Sequence, residues 1–98
     1  MSLGHDRERR VVDRLRDEDW IAFRAPGSLG VADVVALKDG HQPRLIEVKA
    51  TAAGPYHGFV PADRERLRAA ALMAGAKPEL AWWPPRGTLR FIGAGEWP

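Results

Sequence analysis

The chain contains no cysteine, which excludes disulfides, thiolate metal sites and a cysteine nucleophile. No apolar run approaches the roughly 20 residues of a membrane span, and the N-terminus lacks the apolar region of a secretory signal. The expectation is a soluble, intracellular protein. His5, His41 and His57 are scattered at spacings that build no tetrahedral zinc site. Nothing orients a triad drawn from Ser28 and any of these histidines, and no glycine-rich phosphate loop precedes a helix. Ninety-eight residues leave room for one domain, 1–98. A chain this short buries only about 60–65% of the surface its unfolded form exposes, so the core is modest.

What is present in quantity is arginine. Lys and Arg total 15 against 13 Asp and Glu, for a net charge of +2 and a pI of about 9.5. Arginine heavily outnumbers lysine, and its planar fork grips phosphate through two parallel hydrogen bonds. Such a composition is also that of an ordinary solvated surface from a high-GC genome. Charge therefore permits a nucleic-acid partner without requiring one.

Helical spacing runs from about Asp6 to Asp19, with Val11, Val12 and Leu15 on one stripe and Asp6 or Ser2 as candidate caps. Extended backwards, that stripe lands on Glu8, so a carboxylate shares the core-facing side. The competing explanation is a first-turn acid favoured by the helix dipole. Short strands are predicted at Trp20–Ala25, Val31–Lys38 and Arg44–Ala50. A flexible turn at 26–30 separates the first two, and a hairpin at Asp39-Gly40 the last two. Pro61 suits a helix start, Leu67, Ala70, Ala71 and Ala74 its buried face, and Gly75 its end. Two further strands follow at Glu79–Trp83 and Leu89–Ile92. The order is helix, three strands, helix, two strands.

The third strand carries the chemistry. Alternation puts Leu45, Glu47 and Lys49 on one face and Ile46, Val48 and Ala50 on the other. Apolar neighbours on both sides make the strand central, where an acid and a lysine cost solvation unless compensated. A satisfied ion pair or an edge strand would explain them structurally. Asp33 is a lone carboxylate in Val31-Ala32-Asp33-Val34-Val35-Ala36-Leu37, unless it is merely a turn or cap residue. With the hairpin centred near His41, Asp33 falls opposite Lys49 and one diagonal from Glu47, a separation of about 7–8 Å between Cα positions. Two carboxylates with open water positions and no His or Cys ligand suit Mg²⁺, with Mn²⁺ as a substitute.

Asp33 followed across a hairpin by Glu47-Val48-Lys49 resembles the signature of the PD-(D/E)xK nuclease superfamily, with Ala32 in place of its proline. Within it the chain is most similar to the archaeal and phage-type Holliday-junction resolvases. The resemblance rests on Glu8-Arg9 opening the first helix, the turn Arg24-Ala25-Pro26-Gly27-Ser28, and Gly75-Ala76-Lys77-Pro78 leading to Trp82. It spans about Asp6 to Trp83. Asp63-Arg64 stands where relatives often carry a glutamine.

The resemblance implies a restriction-endonuclease-like α/β (α+β) fold, with a mixed central sheet flanked by helices, and a Mg²⁺-dependent endodeoxyribonuclease. Asp33, Glu47 and the Val48 carbonyl would hold the metal, and Glu8 would complete or position its shell. Lys49 would orient the attacking water. Ser28, Arg24, Arg9, Arg10 and Arg64 would contact DNA phosphates, with Arg66 and Arg68 as further candidates. Resolving a four-way junction takes two symmetric cuts, hence a homodimer. Trp82, Trp83, Phe91, Ile92 and Trp97 are candidates for its apolar surface, unless the tryptophan pair covers two sides of a small core. A nuclease of the same fold acting on flaps, nicks or duplex DNA, and an inert DNA-binding module, are the competing readings.

Overall fold

In the computed structural model the described residues are 3–25 and 31–98, with side chains from His5 onward. Among them are two helices and five strands: α1 (Leu3–Asp17), β1 (Ile21–Arg24), β2 (Val34–Leu37), β3 (Arg44–Lys49), α2 (Pro61–Ala74), β4 (Lys77–Trp82) and β5 (Arg90–Gly93), followed by a short 3-10 turn at Ala94–Glu96. Ser2, one of the candidate helix caps, lies outside the described residues.

Both helices end by the same device. Asp19, with φ 70°, takes the left-handed conformation after α1. The Trp20 and Asp19 amides turn back onto the Leu15 and Arg16 carbonyls. After α2 the same position is Gly75, with φ 63°, and the Ala76 and Gly75 amides close on Ala71 and Leu72. Glycine adopts that conformation without a Cβ penalty; Asp19 is the less common solution.

The five strands form one sheet in sequence order, β1-β2-β3-β4-β5. β3 and β4 run parallel, and the other pairs are antiparallel. A parallel pair needs a crossover, which α2 and its flanking loops supply. β3 is the central strand, as the apolar segments on either side of it had implied.

Strand alternation sorts the core into two clusters. Val11, Val12 and Leu15 of α1 pack with Ala22, Val34, Ala36, Ile46 and Ala81. Leu67 packs with Phe59, Leu80, Ile92 and Trp97 on the other side. The helices therefore cover opposite faces of a mixed sheet, an α+β architecture.

Several details differ from the expectations. The second strand begins at Val34, leaving Asp33 in a bend before it, and β4 begins two residues early at Lys77. On α2, Ala70 is half-buried and Ala74 exposed, while Arg64 is buried alongside Leu67 and Ala71. Trp82 packs on the α2 cluster and Trp83 on the α1 cluster, Ile92 and Trp97 are buried, and Phe91 is packed against the core. These five residues build the interior rather than an apolar docking surface.

Candidate active site

The paired strands bring Asp33 and Glu47 together. The observed register pairs Val34 with Ile46 and Val35 with Leu45. Asp33, in the bend just before β2, donates its amide to Ile46 rather than standing opposite Lys49, and its charge acts directly on Glu47. The expected register was displaced by two residues along one strand. A displacement of two preserves side-chain alternation within the paired strands, while the bend at Asp33 takes that residue out of the ladder.

Asp33 is tied to β3 and to the residue that follows β1. Its amide donates to the Ile46 carbonyl at 2.9 Å, and its own carbonyl accepts from Ala25 at 2.9 Å. Its carboxylate Oδ2 accepts from the Val48 amide at 2.8 Å. The side chain thus replaces a main-chain acceptor where the β2–β3 ladder ends.

Glu47 and Lys49 lie two apart on the same face of β3, with Nζ 3.3 Å from Oε2 and both side chains largely shielded. They line a cleft of about 180 Å³ with Val31, Asp63 and Arg66. Asp63 and Arg66 come from the first turns of α2 and pair at 3.1 Å. Neither was singled out as a cleft residue, although the position of Asp63 was noted as a departure from relatives. The available signal was topological: the helix that follows β3 starts near the carboxyl end of that strand.

Glu8 stands where the α1 stripe predicts, and its carboxylate pairs with Arg24 Nε at 3.0 Å. It is close enough to act electrostatically on Asp33. Among the described residues no group of three His, Cys, Asp or Glu side chains is gathered to hold an ion; Glu8 is held by Arg24. The expected DNA contacts divide. Arg24 is partly exposed beside Glu8, and Arg9 and Arg10 are exposed on α1, Arg10 paired with Asp6. Arg64 is a correction. It is 8% exposed, donates to the Phe59 carbonyl at 3.0 Å and stacks on Tyr56, so its charge is spent holding the loop before α2. Ser28 and the 26–30 turn lie outside the described residues.

The electrostatics mark a site overloaded with negative charge. Burial raises the Asp33 pKa, and the Glu8 charge adds to it, against the Val48 amide, Lys49 and Arg24. Burial, then the neighbouring Asp33, push Glu47 up to about 7, with a smaller contribution from Asp63; Lys49 opposes them. A divalent cation would relieve both. The donor set fits such a group: two hard oxygen ligands side by side, with no nitrogen or sulfur, suit an ion that keeps several of its waters.

A stability prediction follows for the metal-free protein. The folded Glu47 keeps its proton to about pH 7, whereas in the unfolded chain it is lost near 4.5. Its contribution is fully present below about pH 4.5, falls as pH rises through this window, and levels off above about 7. Wild type and Glu47→Gln should melt alike in acid, with wild type losing on the order of 1–3 kcal/mol relative to the variant by neutral pH, after allowance for solvent screening. Paired thermal melts in a chelator across that range measure it, and a pH-independent difference would contradict the assignment.

A mixed sheet between two helices, with an aspartate at the start of one strand and Glu-x-Lys at the end of its neighbour, is the PD-(D/E)xK nuclease arrangement. Comparison with known proteins refines this. The profile described as archaeal Holliday junction resolvase (hjc) matches residues 1–96, and the chain belongs to that family. It is 36% identical over 96 residues to the crossover junction endodeoxyribonuclease Hjc of Sulfurisphaera tokodaii, a match covering 93% of this chain. The chain spans 65% of that relative's length. Among solved structures it is similar to Archaeoglobus fulgidus Hjc, a Holliday junction resolvase from an archaeal hyperthermophile, with a TM-score of 0.80 and 28% identity over 96% of this chain and 75% of the other.

Proposed function

We propose that residues 1–98 work as one nuclease domain, a Mg²⁺-dependent endodeoxyribonuclease that resolves four-way DNA junctions as a homodimer. The observation that carries this is the meeting of Asp33 and Glu47 at the end of two paired strands, with Lys49 against Glu47. Membership of the resolvase family supports the choice of substrate. Among the described residues no helix is long and apolar enough to cross a membrane, in keeping with a protein that meets DNA in the cytoplasm during recombination and repair.

Asp33 and Glu47 would hold Mg²⁺, or Mn²⁺ in its place, with the Val48 carbonyl as a further ligand. The bound ion supplies Lewis acidity toward the phosphoryl oxygen and an acidified water for in-line attack. Asp33 has one carboxylate oxygen committed to the Val48 amide, which fixes the direction of the other. Lys49 orients the attacking water and offsets charge developing on the phosphate. Glu8, on α1 and paired with Arg24, would help position the waters of that ion. Arg24, beside Glu8, and the exposed Arg9 and Arg10 take backbone phosphates, contacts that position DNA without reading its sequence. Ser28, four residues after Arg24 in the chain, would be a further contact to the same phosphate.

The test is cleavage of a synthetic four-way junction with Mg²⁺, with products mapped on all strands. The expected result is paired, symmetric nicks in opposite strands, as two active sites require. Lys49→Ala should lower the rate by roughly a hundredfold or more while leaving junction binding intact. Equal cutting of flaps, nicked and linear duplex would favour the broader nuclease reading, and near-wild-type cutting by the Lys49 variant would contradict its role.

A further inference from the structure

Where β3 and β4 finish, a second cavity of about 260 Å³ opens, walled in part by Arg7, Thr51, Trp83, Pro84, Pro85 and Arg86. Two N–H donors, Arg7 Nε and Trp83 Nε1, are sealed from solvent without a hydrogen-bond partner. Among the described residues they are the buried side-chain nitrogens or oxygens left in this state, and both residues border the same cavity. The Arg7 guanidinium lies 5.2 Å from the centre of the Trp83 ring. Buried donors in folded proteins are nearly always satisfied, so a coincident pair points to an acceptor that belongs between them.

The wall selects for an anion. No acidic residue lines the cavity. Thr51 Oγ1 already accepts from the Ala53 amide, leaving its hydroxyl hydrogen to donate. The Thr51 carbonyl is taken by the Trp82 indole. The donors are therefore two N–H groups and a hydroxyl, with Arg86 as a second cation at the rim.

Position ties this cavity to the cutting site. The Trp83 amide donates to the Lys49 carbonyl at 2.8 Å, and Arg7 precedes Glu8 on α1. Glu47 and Lys49 face the α2 side, whereas Trp83 packs on the α1 side. Cleft and cavity thus flank the same sheet end, and a strand laid across it meets both.

We propose that this cavity binds a backbone phosphodiester of the substrate DNA next to the one being cut, through Arg7, Trp83 and Arg86. The inference rests on the nuclease reading and adds a phosphate subsite to it. Guanidinium groups match phosphate geometry, and the neutral indole N–H adds direction without charge.

The experiment is fluorescence anisotropy of a labelled four-way junction with the full chain, in a chelator, over a series of salt concentrations. Arg86→Gly removes a cation at a position with φ 58°, a conformation glycine adopts freely, so folding is preserved. It should weaken binding roughly fivefold and make the slope of log K against log salt shallower by about 0.9. Arg7→Met should weaken binding roughly tenfold with the same change of slope. Trp83→Phe keeps the ring and removes the donor; it should weaken binding about fivefold and leave the slope unchanged. Melting temperatures verify the fold of each variant. If Arg86→Gly and a correctly folded Trp83→Phe bind with wild-type affinity and slope, the cavity holds only water and the proposal is overturned. Wild-type protein that fails to bind the junction would overturn the proposal together with the nuclease reading, a distinct result.

Discussion

Asp33→Asn should abolish metal-dependent cleavage, by roughly a thousandfold or more, while the protein folds and binds junction DNA as before. The substitution separates the two tasks of this side chain. One carboxylate oxygen accepts the Val48 amide at the end of the β2–β3 ladder, and an asparagine oxygen can do the same. The ionic charge that would hold a hard dication is lost. Asp33→Ala is a different experiment, since it leaves the Val48 amide without an acceptor, and its loss of activity would include a loss of structure. Single-turnover cleavage of a junction, with anisotropy for binding and thermal melting for the fold, distinguishes the two. An asparagine variant that cuts at near the wild-type rate would remove Asp33 from the chemistry.

Glu79→Ala should be the most damaging single change to the fold. Glu79 is 3% exposed and receives Arg44 in two-pronged fashion, Nε at 2.6 Å and Nη2 at 2.8 Å. The guanidinium lies 4.8 Å from the centre of the Trp20 ring and 4.9 Å from that of Phe91. Removing the acid leaves a desolvated cation among aromatic rings with no counter-charge, at a cost of about 3–5 kcal/mol. In a chain of this size that lowers the melting temperature by more than about 10 °C. Replacing both partners, Arg44→Met with Glu79→Leu, should recover most of the loss, because an apolar pair of similar volume carries no desolvation penalty. If the single and double variants melted alike, the pair would not be the source of the effect.

The parts of the site that could be read from sequence share one property: they break an apolar pattern. Asp33 interrupts a hydrophobic run, Glu47 and Lys49 share a face of a strand that must be central, and Glu8 lies on the stripe of Val11, Val12 and Leu15. Burying charge is costly, so each interruption carried information. The helices and the central strand were readable for the complementary reason, since their periodicity is long enough to be unambiguous.

What was not readable depends on distance across the fold. The hairpin register rested on an assumed turn centre, and a two-residue displacement leaves side-chain alternation unchanged. Arg64 interrupts a pattern as Asp33 does, yet its charge satisfies the Phe59 carbonyl; only the folded loop distinguishes the two cases. Trp82 and Trp83 offered either an exposed ring or a core covered on both sides, and the parallel pairing of β3 with β4 produced the second. Asp63 reached the cleft through the crossover path of the chain, which no local pattern records.

The bond from the Val48 amide to the Asp33 side chain couples the geometry of the proposed metal site to the integrity of the sheet. A ligand supplied by a free rotamer can swing away and return while the strands stay paired. Here the carboxylate is stitched into the seam, so its geometry is as rigid as the seam and no more durable. Any excursion that unzips this end of the hairpin would undo the proposed cutting site and fray the domain in a single event.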